Sequence, residues 1–146
     1  MRRVSEVMTR DVAAVAPLDT ILFAAQLMDE LNVGVIPVCE RQRLVGVITD
    51  RDITVRATAA GWMPAETAVA DAMSADVRWC SENQNIEEVL AQMANTQVRR
   101  MPVVDDDQHL VGIVSLGDLA TRSVTETGST LRKISAPAQQ ERPRAH

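Results

Sequence analysis

Leu44-Val45-Gly46-Val47-Ile48-Thr49-Asp50-Arg51-Asp52 returns as Leu110-Val111-Gly112-Ile113-Val114-Ser115-Leu116-Gly117-Asp118. Upstream of it, Pro37-Val38 returns as Pro102-Val103, Met28 as Met93, Ile21 as Ile86 and Asp11-Val12 as Asp76-Val77. Earlier still, Val4-Ser5-Glu6-Val7-Met8 is answered by Val69-Ala70-Asp71-Ala72-Met73. The upstream pairs lie 65 positions apart and the nine-residue stretch 66 apart, so one residue is inserted in the connection after Val38. Repetition at a fixed spacing constrains the architecture before any residue has a role. Units of this size are too long for solenoid repeats. They predict two copies of one small fold packed through their sheets around a pseudo-two-fold axis.

Each copy reads β-α-β-β-α after a short helical turn at Val4 to Met8 or Val69 to Met73. Val12 to Val15 and Val77 to Cys80 are expected as first strands. Pro17-Leu18-Asp19-Thr20 is a helix start, with Asp19 or Thr20 as cap. Ile21, Ala24, Ala25, Met28 and Leu31 then form one apolar stripe, and Ile86, Val89, Leu90 and Met93 form its copy. Asn32 and Gly34 end the first helix. Two apolar runs follow in each copy, joined by Glu40-Arg41-Gln42-Arg43 or Asp105-Asp106-Asp107-Gln108-His109, and they read as hairpins. The runs do not alternate apolar with polar, so burial on both faces is expected. Asp50 to Ala60 and Leu116 to Val124 are expected as closing helices. The fold class is α/β (α+β). The predicted organisation is 1–61 and 69–124 as the two domains, 62–68 as linker and 125–146 as a disordered tail.

Composition narrows the function. Hydrophobic residues make up 46% of the 146 positions, which supplies a core. No apolar run approaches the roughly 20 residues of a membrane helix. The opening Met1-Arg2-Arg3-Val4-Ser5-Glu6 is unlike a secretion signal, so a cytoplasmic location is expected. The net charge of −5 and the near absence of aromatic residues argue against nucleic acid as a partner. Cys39 and Cys80 are not repeat equivalents and read as small packing residues of a reducing compartment. With His109 and His146 as the two histidines, no zinc-type spacing emerges, and neither a Ser nor a Cys has a credible histidine partner. The expectation is therefore no catalytic residue, no metal and no required cofactor.

The elements Ile36-Pro37-Val38 with Gly46-Val47-Ile48-Thr49-Asp50-Arg51-Asp52, and Met101-Pro102-Val103 with Gly112-Ile113-Val114-Ser115-Leu116-Gly117-Asp118, resemble the CBS domain. The chain is similar to stand-alone bacterial tandem CBS proteins, including the small hypoxia-response type. That resemblance implies a regulatory, non-catalytic module, often a homodimer. Clefts between its paired sheets would take an adenine-bearing ligand such as AMP, ADP, ATP, NAD(H) or S-adenosylmethionine. Any output would pass to a separate effector protein or arise from oligomer state.

Thr49 and Ser115 stand where a strand meets a helix N-terminus, a setting that favours phosphate. Asp52 and Asp118, three residues on, can accept from a ribose diol. The Val35, Ile36 and Pro37 stretch and its copy at Arg100, Met101 and Pro102 would meet an adenine, with Val12 and Val77 from the earlier strands completing the set. Arg99 and Arg100 have no counterpart at Gly34 and Val35, so the second pocket is expected to be the better anion site. Thr49-x-x-Asp52 and Ser115-x-x-Asp118 are equally helix capping boxes, and the spacing leaves both readings open. Trp79 could stack on an adenine or pack in the core. A constitutive dimerisation or interaction scaffold that binds no nucleotide is the alternative.

Overall fold

The computed structural model describes residues 2–121, so the expected tail at 125–146 and the end of the last helix, including Val124, lie outside the described residues. Secondary structure follows the predicted order, with mixed helix and strand in small sheets of the α+β kind. Helix α1 is Ile21–Leu31, strand β1 Val35–Glu40, strand β2 Arg43–Thr49 and helix α2 Asp50–Asp52. Helix α3 is Val69–Ala72, strand β3 Cys80–Ser81, helix α4 Ile86–Thr96, strand β4 Arg100–Val104 and strand β5 Leu110–Ser115. Residues 116–121 form a last helix, α5.

Local chemistry sets these boundaries. Thr20 caps α1 by accepting from the Phe23 N–H at 3.1 Å, while Asp19 accepts instead from Ala16 N–H. The helix ends at Asn32, which takes the left-handed conformation, and Gln97 ends α4 in the same way. Ile21, Ala24 and Met28 are buried, as are Ile86, Val89, Leu90 and Met93. Leu31 departs from the expected stripe: it is 45% exposed. Strand β4 is buried along most of its length and β1 at Ile36, Pro37 and Val38, whereas β2 and β5 alternate between buried and half-buried positions.

Two expectations need correction. The first strands are shorter than the apolar pattern suggested. Val12 is not in a strand, and Val15 alone makes a parallel bridge to Val38. In the second copy β3 begins at Cys80, pairing Cys80 with Val103 and Ser81 with Val104. The cause is backbone geometry upstream: Asp11 has a φ of 59°, and Val77 N–H donates back to the Ala75 carbonyl at 3.0 Å. The closing helix of the first copy is α-helical only over Asp50–Asp52 and continues as a π-helix over Ile53–Thr58. Five-residue hydrogen bonds follow, Ala59 N–H to Thr54 and Trp62 N–H to Ala57.

The chain forms two compact units that cut across the linear order. Among the described residues, one comprises 2–12, 79–106 and 111–121, and the other 13–78 with 107–110. Each unit contains the core of one repeat and the short helical leader of the other. In the first unit, Val4 N–H donates to Gln84, Ser5 N–H to Glu82, and Ile86 N–H to Arg2. In the second, Val69 N–H donates to Asp19, Ala70 N–H to Pro17, and Ile21 N–H to Thr67. These are repeat-equivalent bonds, made three times over in each unit. Val4, Val7 and Met8 join the apolar core of Ile86, Met93 and Leu119, while Val69 and Ala72 join that of Ile21, Met28 and Ile48.

The leaders also explain two glycines. Thr9 bridges Ile113 of β5, and Ser74 bridges Val47 of β2. A Cβ on Gly46 would stand 2.5 Å from the Ser74 carbonyl oxygen, and one on Gly112 would stand 2.8 Å from that of Thr9. Only a residue without a side chain allows the leader backbone so close.

Candidate functional site

In the second compact unit, β1 and β2 pair antiparallel, with Val35 opposite Thr49, Ile36 opposite Ile48 and Pro37 opposite Val47. This register brings the backbone of Val35 beside the hydroxyl at the end of β2. Ile36 and Pro37 are buried, and Val35 is half-buried. Thr49 is the N-cap of α2: its Oγ1 accepts from Asp52 N–H at 3.0 Å, and Asp52 Oδ2 accepts from Thr49 N–H at 3.0 Å. Both residues are half-buried.

The same construction recurs in the first unit. Asp118 N–H donates to Ser115 Oγ at 3.0 Å, and Ser115 N–H donates to Asp118 Oδ2 at 3.2 Å. Below it, Leu116 N–H donates to the Arg99 carbonyl at 2.8 Å, just as Asp50 N–H donates to Gly34 at 3.0 Å. Met101 and Pro102 are buried, and Arg99 and Arg100 are exposed.

Both capping boxes are therefore formed. Capping does not exhaust either side chain. A hydroxyl that accepts one hydrogen bond keeps its own proton to donate. A carboxylate that accepts on Oδ2 keeps Oδ1 and further lone pairs. Each box thus fixes a donor and an acceptor side by side at a strand-to-helix junction, next to the half-free N–H groups of a helix start.

Arg56 was not singled out by the sequence reading. Its guanidinium lies 3.9 Å from Asp52 Oδ1, and the same group donates to the carbonyls of Ala72 and Met73 at 3.1 and 2.9 Å. The signal was available as an i, i+4 spacing from Asp52. Asp50 folds over Gly34, with Oδ2 3.0 Å from where a Cβ would lie. The Thr49 junction therefore combines Asp50 and Asp52 with Arg51 and Arg56, whereas the Ser115 junction combines Asp118 with Arg99 and Arg100 and has buried Leu116 in place of Asp50.

Val12 and Val77 are half-buried on the leader segments. Val12 falls in the unit that holds Ser115 and Asp118, and Val77 in the unit that holds Thr49 and Asp52. Trp79 is 39% exposed, and its carbonyl accepts from Gln92 Nε2 at 3.1 Å. Cys39 and Cys80 are free thiols. Burial raises both, Cys80 to about 12, which leaves neither activated as a nucleophile.

A CBS domain model matches residues 4–57 and again 69–124. The chain belongs to the CBS domain family. It is 44% identical over 137 residues to the CBS domain-containing protein YhcV of Bacillus subtilis, covering 92% of this chain and 96% of that one. The crystal structure of Hypoxic Response Protein I, with two coordinated zinc ions, superposes with a TM-score of 0.74 at 35% identity, covering 82% of this chain and 98% of that one. CBSX2 in complex with AMP superposes with a TM-score of 0.74 at 25% identity, covering 86% and 98%. CBS-pair proteins of this stand-alone kind are generally regulatory modules rather than enzymes. Among the described residues, no helix is long and apolar enough to cross a membrane.

Proposed function

We propose that this CBS pair is a regulatory module that binds an adenine-bearing nucleotide and reports it through a change of conformation or assembly. The supporting observation is the duplicated junction. Thr49 with Asp52, and Ser115 with Asp118, each hold a hydroxyl proton and a second carboxylate oxygen that the cap itself does not use, Asp52 Oδ1 facing Arg56 at 3.9 Å. A ribose diol needs an acceptor for two hydroxyls, and a phosphate needs donors; each junction offers both. An AMP complex of a structural neighbour agrees with this ligand class. The ligand would shift the population of one arrangement of the chain, and a partner protein would read the difference. We place the protein in the cytoplasm as a homodimer, with no resident cofactor.

The Ser115 junction, with Arg99 and Arg100, is the better place for a multiply charged ligand, and the Thr49 junction, with Asp50 and Asp52, for a less charged one. A nucleotide-free scaffold is the second reading. It is favoured by the capping boxes, which satisfy the same atoms without a ligand. Thermal unfolding against AMP, ADP, ATP, NADH and S-adenosylmethionine separates the two. Single-site binding at 100 times Kd stabilises by about 2.7 kcal/mol. A clear rise with at least one nucleotide supports the sensor, and no response across the panel supports the scaffold.

A further inference from the structure

Arg56 ties the Thr49 junction to the leader helix α3, and every contact in the tie lies within one compact unit. Its Nη1 donates to the carbonyls of Ala72 and Met73 at 3.1 and 2.9 Å. These carbonyls close α3, a four-residue helix with no side-chain cap at its start. Orphan carbonyls at a helix C-terminus carry partial negative charge and favour a guanidinium. The Nε edge of the same group stands 3.9 Å from Asp52 Oδ1. Asp52 in turn holds Thr49 N–H through Oδ2.

The contacts close into a ring. Arg56 grips the two peptide planes that follow Ala72 and Met73, and the N–H groups of those planes belong to Met73 and Ser74. Met73 N–H donates to Val69 and Ser74 N–H to Val47, each at 2.9 Å. Val47 lies two residues before Thr49 on β2, so the ring returns to its start. An exposed ion pair alone contributes little, and the Arg56 side chain is 49% exposed against 12% for Asp52. Here the two carbonyls already hold the guanidinium, so facing the carboxylate costs little further side-chain freedom. Arg56 also sits in the π-helical segment Ile53–Thr58, a form rare in helices and frequent at functional sites. The sequence repeats the pair as Asp118 and Arg122, with Arg122 outside the described residues.

We infer that Arg56 is a positioning residue that carries occupancy of the Thr49–Asp52 junction to the leader at Ala72, Met73 and Ser74. A diol that hydrogen-bonds Asp52 fixes the carboxylate, the carboxylate fixes the guanidinium, and the guanidinium fixes the two peptide planes. Bound and empty junctions then differ in how often the leader opens. By linkage, a change that loosens the leader weakens the ligand by the same factor. The inference supplies the conformational change in the function proposed above and rests on that reading for the ligand alone.

The test is amide hydrogen exchange of the full chain at Met73 and Ser74. Rates are read as a ratio to the Leu44 amide, which bonds Gln108 outside the ring, so a uniform loss of stability cancels. Wild type, Asp52→Asn, Arg56→Gln and the double variant form a cycle that needs no ligand. Arg56→Gln should speed the two amides roughly tenfold or more, since it removes two charge-assisted hydrogen bonds. Asp52→Asn should speed them roughly threefold in the wild-type background and leave them unchanged in the Arg56→Gln background. An Asp52→Asn effect of equal size in both backgrounds, or none in either, would reduce Arg56 to a cap on α3 and overturn the inference. The nucleotide that raises the unfolding midpoint most should slow the two amides in the wild type and not in Arg56→Gln. Equal slowing in both sinks the inference and leaves the ligand standing. Coupling of Asp52 to Arg56 with no response to any nucleotide supports the tie and sinks the ligand reading alone.

Discussion

Thr49 and Asp52 hold one another by two reciprocal hydrogen bonds of 3.0 Å, backbone N–H to side-chain oxygen in each direction. This pair caps a helix and also carries the proposed ligand contacts, and substitutions can separate the roles. Thr49→Ala removes the cap and is expected to cost about 1 kcal/mol of stability without ligand, measured by denaturant unfolding. Asp52→Asn keeps an oxygen for the Thr49 N–H and should cost less than about 1 kcal/mol. It loses one of the two acceptor oxygens and the charge, so nucleotide affinity should fall by roughly tenfold or more. Affinity that follows stability in both variants would show capping alone.

Arg100, exposed at the start of β4, separates the two junctions. Arg100→Ala should weaken a phosphate-bearing ligand by roughly tenfold or more while leaving adenosine nearly unchanged, since a charge-assisted contact is worth about 1.5–3 kcal/mol. Calorimetric titrations with AMP and adenosine check this. Equal losses for both would remove the phosphate role.

The glycines give a prediction free of any ligand. Gly46→Ala should destabilise strongly, by about 1–3 kcal/mol or more, because its Cβ would lie 2.5 Å from the Ser74 carbonyl oxygen. Gly112→Ala should behave likewise against Thr9. Gly117→Ala is the contrast: its nearest neighbour would be Ser115 Oγ at 3.7 Å, and it lies in α5. There alanine should stabilise by roughly 0.5–1 kcal/mol. Urea midpoints order the three variants.

Cys80 predicts an alkaline limb of the stability curve. Burial lifts its thiol from 9.0 to about 12. Below the lower value both folded and unfolded chains hold the proton, and stability is unaffected. Between the two values the unfolded chain binds fewer protons than the folded one, so stability falls as pH rises. Cys80→Ala should flatten the decline in unfolding midpoint measured between about pH 8 and pH 10.5. An unchanged slope would mean the thiol titrates alike in both states.

Much of this was legible from the repeat. The hairpins, the two capped helices and the paired Thr49-Asp52 and Ser115-Asp118 boxes each have a local signal, and each is where its spacing placed it. The crossing of the leaders was not legible. Val4-Ser5-Glu6-Val7-Met8 and Val69-Ala70-Asp71-Ala72-Met73 are chemically alike, so their sequences do not say which repeat each one docks on. Gly46 and Gly112 could be seen as glycines within strands, but their reason is the backbone of Ser74 and Thr9, distant in sequence. The first strands were overestimated because the apolar residues around Val12 and Val77 carry no sign of the turn at Ala75 or the positive φ at Asp11. Arg56 was passed over because a single exposed arginine ordinarily forms only a weak ion pair.

The central claim is that the two hydroxyl–carboxylate junctions hold an adenine nucleotide. It is tested most directly by isothermal titration of the panel's strongest stabiliser into the wild type and into Asp52→Asn/Asp118→Asn. The account predicts saturable binding to the wild type and a loss of roughly tenfold or more in affinity in the folded double variant. Undiminished binding in that variant, or no binding heat with any member of the panel, would contradict it.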